Sequence, residues 1–420
     1  MKFLYQLFIL LYPLAAKLIA PFNSKARLWV LGRKHVFNEL RKVFLNEKRP
    51  VIWIHCSSLG EFEQGLPVAE QLKNNYPSHF LLITFFSPSG YSVQKNNPIA
   101  NYVAYLPMDS KNNAANFLQI VQPKLAIFIK YEFWHYYLQA LHTKKIPAIL
   151  ISAIFRKDQV FFNSFGEFYR KILANFNYFF VQDETSKLLL ENIGFSKNVA
   201  VTGDTRFDRV IEIANQFKSN NIIEKFCAAD PIIIAGSTWS EDDKALHHFA
   251  IANKHIKFII APHDIEKERL NECLQFYPDA ILYSTYQNSI AENNNKSYRT
   301  LVIDNMGMLS TLYKYATVAF IGGGFTEEGV HNTLEAAVYG VPVVFGPVYD
   351  KYLEAINLIE IGGAFTAFDL IELEAIFIDL LTDQQKRKNA GAAALQFVQN
   401  QSGSTNKITD YIHENRLLIK

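Results

Sequence analysis

Three apolar stretches in this chain each end in residues suited to ligand binding or proton transfer. The first, Val318–Ile321, closes on Gly322-Gly323-Gly324, with His331, Asn332 and Glu335 shortly after. Glycines at a strand end let backbone N–H groups approach a ligand and allow positive φ. A helix is expected to start near 330–332 and to run to 339, with Gly340 as its C-cap. Its first turn would offer unpaired N–H groups to a phosphate. His331 and Glu335 would then share one face. Glu335 would accept hydrogen bonds from a ribose diol, and Asn332 would position a neighbour. A glycine run alone is equally a tight turn. The polar face and the following stretch 341–345, closed by Gly346-Pro347, favour a nucleotide site.

The second stretch, 51–55, runs into His55-Cys56-Ser57-Ser58-Leu59-Gly60-Glu61. Glu61 falls in the first turn of the next helix, where a carboxylate can serve as general base toward a sugar hydroxyl. An acid there also complements the helix dipole, and Ser57 and Ser58 also suit plain N-caps. The third stretch, 125–129, precedes Lys130-Tyr131-Glu132-Phe133-Trp134, which places Glu132 at a strand end. The alternative for Glu132 is an ordinary surface acid. Smaller signals also follow strands. They are Ser87-Pro88-Ser89-Gly90, suited to an anion, Thr202-Gly203-Asp204-Thr205-Arg206-Phe207-Asp208, Gly236-Ser237-Thr238-Trp239, and His263. His247 and His248 are adjacent and diverge on a helix, so no metal cluster is expected and no cofactor is assigned.

These residues need a scaffold that presents strand ends on one side. Apolar runs at 51–55, 81–86, 103–106, 125–129, 148–152, 178–182 and 199–202 alternate with amphipathic segments such as 61–75 and 133–141. The rhythm restarts at 232–235, 257–261, 280–283, 301–303, 318–321 and 341–345. Strands alternating with helices predict an α/β fold of two doubly wound, Rossmann-like domains, with ligands in the cleft at the carboxyl ends of the strands. The expected boundaries are an anchor at 1–21, a first domain at 22–205, and a second domain at 206–420 that includes a helical tail from about 384. The asparagine-rich segment 287–299 is expected as an exposed loop.

A length of 420 residues suits two domains, and the apolar and charged fractions are globular. A formal net charge of +2 gives no global attraction to nucleic acid, so no nucleic-acid partner is expected. Three scattered cysteines, Cys56, Cys227 and Cys273, indicate a reducing compartment. The N-terminus departs from this average. Residues 3–20 are apolar apart from Gln6, Pro13 and Lys17, and a basic flank follows with Lys25, Arg27, Arg33, Lys34, Arg41, Lys42, Lys48 and Arg49. A signal peptide and a buried core helix compete with a membrane-attached segment. The basic load after the apolar core favours attachment at the cytoplasmic face, against anionic headgroups.

Taken in order, the motifs resemble the bacterial 3-deoxy-D-manno-octulosonic acid (Kdo) transferases of lipopolysaccharide synthesis. The resemblance covers nearly the whole chain. It rests on the N-terminal anchor, His55-x-Ser57-Ser58-x-Gly60-Glu61, Glu132-x-Trp134, Thr202-Gly203 with Phe207-Asp208, Ser237-Thr238 and His263. It continues through Asp304-x-Met306-Gly307-x-Leu309 with Tyr313, and Gly322-Gly323 with His331-Asn332-x-x-Glu335. The resemblance implies a GT-B fold, a CMP-Kdo donor, a lipid A precursor (lipid IVA) as acceptor, and inversion without a bound metal at the inner membrane. It makes Glu61 the general base. Ser57, Ser58, Gly60, Ser87, Ser89, Glu132 and Arg206 fall on the acceptor side. Ser237, Thr238, His263, Met306, Gly307, Gly322, Gly323, Gly324, His331, Asn332 and Glu335 fall on the donor side. Pro262, Met308, Arg206 and Lys130 depart from the family pattern, which usually carries Arg, an acid, Lys and Glu there. A UDP-sugar transferase of the same fold, or a non-catalytic membrane-bound nucleotide-sugar binder, would share the glycine turn without requiring the full ordered set.

Overall fold

The computed structural model describes residues 1–277, 279–291 and 297–419. It divides into two compact units, Met1–Arg209 with Ser402–Lys420, and Val210–Gln401. The first unit opens with helices α1 (Lys2–Ile19) and α2 (Ser24–Arg33). Its strands are β1 (Val51–Cys56), β2 (Phe80–Phe85), β3 (Tyr102–Tyr105), β4 (Pro123–Ile129), β5 (Ala148–Ala153), β6 (Tyr178–Val181) and β7 (Val199–Val201). They form one sheet, paired in parallel, in the order β3-β2-β1-β4-β5-β6-β7. Along β1, Val51 and Trp53 join one buried cluster while Ile52, Ile54 and Cys56 join another. Both faces of the sheet are therefore covered, which is why these strands appear in the sequence as unbroken apolar runs.

The second unit repeats the plan. Its strands are β8 (Ile232–Thr238), β9 (Lys257–Pro262), β10 (Ala280–Leu282), β11 (Thr300–Val302), β12 (Val318–Ile321), β13 (Val343–Phe345) and β14 (Ala364–Thr366). They pair in parallel in the order β10-β11-β9-β8-β12-β13-β14. In each sheet the strand order reverses beside the first strand, between β1 and β4 and between β8 and β12. Such switch points open a crevice at the strands' carboxyl ends.

Three expectations are corrected. The helix after the glycine turn is a single short turn, Leu334–Ala337, not a helix from 330 to 339. The Val330 and His331 N–H groups instead donate to Val348 O at 2.9 Å and Gly322 O at 3.1 Å, which holds this stretch as a loop. His331 therefore shares no helix face with Glu335. The segment 287–299 begins inside the helix Tyr283–Ala291, which Asp304 caps at Ser284, while Asn293–Asn295 lie outside the described residues.

The tail is also misplaced by the expected boundaries. Its last helix, Ser404–Glu414, belongs to the first unit, where Ile408 and Ile412 enter the core. Asp208 fastens it by accepting from the N–H of Gly403 at 2.5 Å, the N–H of Thr405 at 2.6 Å and the Thr405 hydroxyl at 2.7 Å. This explains Asp208 structurally, without a ligand. Asp208→Ala is expected to destabilise the first unit by about 2–3 kcal/mol, since three charge-assisted bonds are lost. Thermal melts and faster proteolysis within 402–419 check it.

Candidate active site

Glu61, Ser57, Ser58 and Glu132 all gather at the β1/β4 switch point. Ser58 has extended backbone and caps the helix Leu59–Asn75, its hydroxyl accepting from the Glu61 N–H at 3.5 Å. The Glu61 carboxylate bends back and accepts from the Ser57 N–H. This reciprocal arrangement resembles a capping box, so both serines have a structural task. The Ser57 carbonyl in turn accepts from Ser87 N–H at 2.7 Å, which ties the Ser87–Ser89 turn to the same spot. Ser87 caps the helix Pro88–Gln94, and the Ser87 and Ser89 hydroxyls lie 2.9 Å apart. A Cβ added at Gly60 would meet no atom within 4 Å, so the Gly60 position itself is open.

Glu132 is not a surface acid. It is 5% exposed and lies at the carboxyl end of β4, after Lys130, which takes a left-handed φ of 61°. One carboxylate oxygen sits 2.8 Å from His55 Nε2 and accepts from the Trp134 indole N–H at 2.5 Å. His55 is fully buried, and its Nδ1 lies 2.9 Å from Thr84 Oγ1. Burial and the neighbouring Glu132 push the Glu61 carboxyl up to about 8, against the pull of the Ser57 N–H and Lys130. Two carboxylates with one partly desolvated are a common acid–base arrangement. His55 is named in the sequence motif but was given no role of its own there. Its signal was a lone titratable residue inside the apolar run Val51–Cys56.

Arg206 is held by Asp204, with Nε to carboxylate at 2.8 Å, and Asp204 also accepts from the Gln64 amide at 3.0 and 3.1 Å. Gln64 lies on the helix that carries Glu61, so Arg206 is braced against that helix.

In the second unit the β8/β12 switch point joins Ser237, Thr238 and the glycine turn. A Cβ on Gly322 would lie 2.3 Å from Ser237 O, and one on Gly324 would lie 2.5 Å from Gly346 N. Gly323 has φ +89°, and its Cβ would meet Gly329 O at 2.3 Å. The glycines thus serve close backbone packing. The Gly322 N–H donates to Gly236 O at 2.8 Å and the Gly323 N–H to Asp242 at 2.8 Å. Those two donors are engaged within the protein.

Beside the turn three flat rings stack. Trp239 and His263 have centroids 4.5 Å apart, and His263 and His331 4.6 Å apart. The Trp239 indole N–H donates to His331 Nε2 at 3.0 Å. Burial and the neighbouring His263 lower His331 to about 4, and burial lowers His263. The stack therefore presents neutral rings at pH 7. Trp239 closes the sequence signal Gly236-Ser237-Thr238-Trp239 but was given no role of its own there. The Asn332 amide donates to the Glu335 carboxylate at 3.1 Å. Met306 is 75% exposed, and Gly307, at φ +91°, faces open space. Among the described residues no group of three or more His, Cys, Asp or Glu side chains is placed to hold a metal.

Two parallel seven-stranded sheets, each with polar groups at its switch point, define a GT-B-type α/β protein. Solved structures agree on the fold. A UDP-GlcNAc 2-epimerase from Neisseria meningitidis bound to UDP-GlcNAc aligns with TM-score 0.59 and 15% identity, over 87% of this chain and all of that one. MurG from Acinetobacter baumannii aligns with TM-score 0.54 and 14% identity, over 87% and 100%. Residues 32–209 match the family model described as 3-deoxy-D-manno-octulosonic-acid transferase (kdotransferase). The transferase of that name from Haemophilus influenzae is 24% identical over 370 residues, 86% of each chain. That from Aquifex aeolicus is 26% identical over 363 residues, 84% of this chain and 93% of the other. Residues 32–209 thus carry a Kdo transferase domain match, and over most of its length the chain is similar to Kdo transferases. That similarity supports a glycosyltransferase of Kdo transfer in lipopolysaccharide biosynthesis.

Proposed function

We propose that the chain moves Kdo from CMP-Kdo to a lipid A precursor, lipid IVA, at the cytoplasmic face of the inner membrane, with Glu61 as general base. The observation that carries this reading is the Glu61 carboxylate, oriented by the Ser57 N–H and held up in pKa by burial and the neighbouring Glu132 at the β1/β4 switch point. The acceptor hydroxyl gives its proton to Glu61, its oxygen bonds to the Kdo anomeric carbon, and the bond from that carbon to the phosphate oxygen breaks as CMP leaves. Ser57, Ser58, Ser87, Ser89, Glu132 and Arg206 serve the acceptor side. Ser237, Thr238, His263, Met306, Gly307, Gly322, Gly323, Gly324, His331, Asn332 and Glu335 serve the donor, with Glu335 on the ribose. Fixed dipoles at the strand ends stabilise the departing phosphate. The outward apolar face of α1, including Phe3, Leu10, Leu14 and Leu18, supports attachment to a lipid surface, where an acylated acceptor resides.

The test is mass analysis of products from CMP-Kdo and a tetra-acylated lipid A precursor. The expected product gains Kdo with matching release of CMP; no product, or turnover only with a UDP-sugar, overturns the reading. The base works ionised. Turnover is therefore expected to rise with pH through about 8 and then level, because burial and Glu132 hold Glu61 protonated below that point.

A further inference from the structure

On α1 the half-buried positions are Tyr5, Ile9, Tyr12, Pro13 and Ala16, with Ala20 just beyond its end. Their spacing of three to four residues marks one helical stripe, so a single face docks on the first unit. Two contacts lead from this stripe to Glu132. The Tyr5 hydroxyl donates to the buried Asp109 carboxylate and accepts from the His135 N–H at 3.3 Å. Asp109 also accepts from the N–H groups of Tyr136 at 3.0 Å and Tyr137 at 3.0 Å. Together they satisfy the first-turn donors of the helix His135–Thr143, which have no intrahelical partner. Glu132 and Trp134 lie immediately before that turn. Further along α1, the Tyr12 ring packs on Trp29 and Phe86, and Phe86 packs on Trp134 at 4.8 Å. The Arg33 guanidinium on α2 fixes Phe86 by donating to its carbonyl at 2.7 Å.

We propose that Tyr5 and Asp109 are positioning residues, a latch through which docked α1 fixes the segment Glu132–His135 and so sets Glu132 and Trp134 beside Glu61. This rests on the reading of Glu61 as the base. The apolar helix is then part of the catalytic scaffold as well as an anchor. Removing the Tyr5 hydroxyl takes one of its two acceptors from the His135 N–H and the Tyr5 donor from Asp109, and frees the segment to shift, while the apolar face of α1 is untouched.

The experiment uses the full chain with lipid vesicles. Wild type, Tyr5→Phe, Glu132→Gln and the double variant are compared for kcat, donor KM, vesicle co-sedimentation and thermal melting. Tyr5→Phe is expected to lower kcat roughly tenfold, with donor KM and vesicle binding unchanged and the melting temperature lowered but the chain still folded at the assay temperature, as for loss of one hydrogen bond to a buried carboxylate that also matters in the transition state. On the Glu132→Gln background it is expected to cost little more, because both act through one group. Where Glu132→Gln leaves too little turnover to measure, Trp134→Phe is the second background. Wild-type kcat in Tyr5→Phe, or an equal loss on both backgrounds, overturns the latch. Loss of vesicle binding with kcat restored in detergent also overturns it, leaving Tyr5 an anchoring residue only. Full turnover by Glu61→Gln instead sinks the base assignment, which separates the two failures.

Discussion

Glu61→Gln is expected to lose at least ~10³-fold in kcat while gaining stability at alkaline pH. The two effects have one cause. Gln keeps an oxygen that can accept from the Ser57 N–H, so the local geometry survives. It cannot take the acceptor proton, so the chemistry does not. Burial and the nearby Glu132 raise the Glu61 pKa above its unfolded value, to about 8. The folded state therefore binds that proton more tightly than the unfolded chain. The stability from this linkage is full below the unfolded pKa and is lost as pH rises through about 8. Gln stays neutral throughout. At pH 9 the variant should exceed wild type by about 1–4 kcal/mol, and near pH 4 the two should coincide. Melts at the two pH values, set beside turnover, check both halves. Equal stability at pH 9 would show that Glu61 is not desolvated as described.

Gly322→Ala is expected to remove donor binding and to destabilise the second unit by roughly 2–4 kcal/mol. The added methyl would sit 2.3 Å from Ser237 O and 2.7 Å from Thr238 Cα. These are backbone atoms at the end of β8, so no rotamer change relieves the overlap. Relief requires β8 and β12 to part at the switch point, where Gly322 N–H bonds Gly236 O. The ring stack Trp239–His263–His331 is tied to the same two ends, since His331 N–H donates to Gly322 O. Melting of the variant and calorimetric titration with CMP test this. Unchanged CMP affinity would move the donor site away from the turn.

The strands were legible because both sheet faces are covered and each strand is a short apolar run. β14 escaped notice because Ala364–Thr366 is too short to show a pattern and follows Gly362-Gly363. Glu61 was legible because a motif and a strand end coincide there. Glu132 was correctly placed at a strand end, but its burial depends on His55 and Trp134, and Glu132 meets His55 only when β1 and β4 lie side by side. The long helix expected at 330–339 fits local periodicity. It loses to distant carbonyls at Val348 and Gly322, which no window of sequence reveals. Likewise the tail looked like part of the second domain until Asp208 supplied its partner.

The return of the last helix to the first unit has a consequence for how the protein is made. The second unit is a contiguous stretch, Val210–Gln401, inserted between two parts of the first. Synthesis from the N-terminus delivers the apolar helix α1 and the first sheet early, yet the helix that seals Ile408 and Ile412 against that sheet leaves the ribosome only after the whole second unit. The unit bearing Glu61 therefore matures after the unit proposed to hold the nucleotide. A chain stopped just short of residue 402 would have a complete second unit and an unsealed first one.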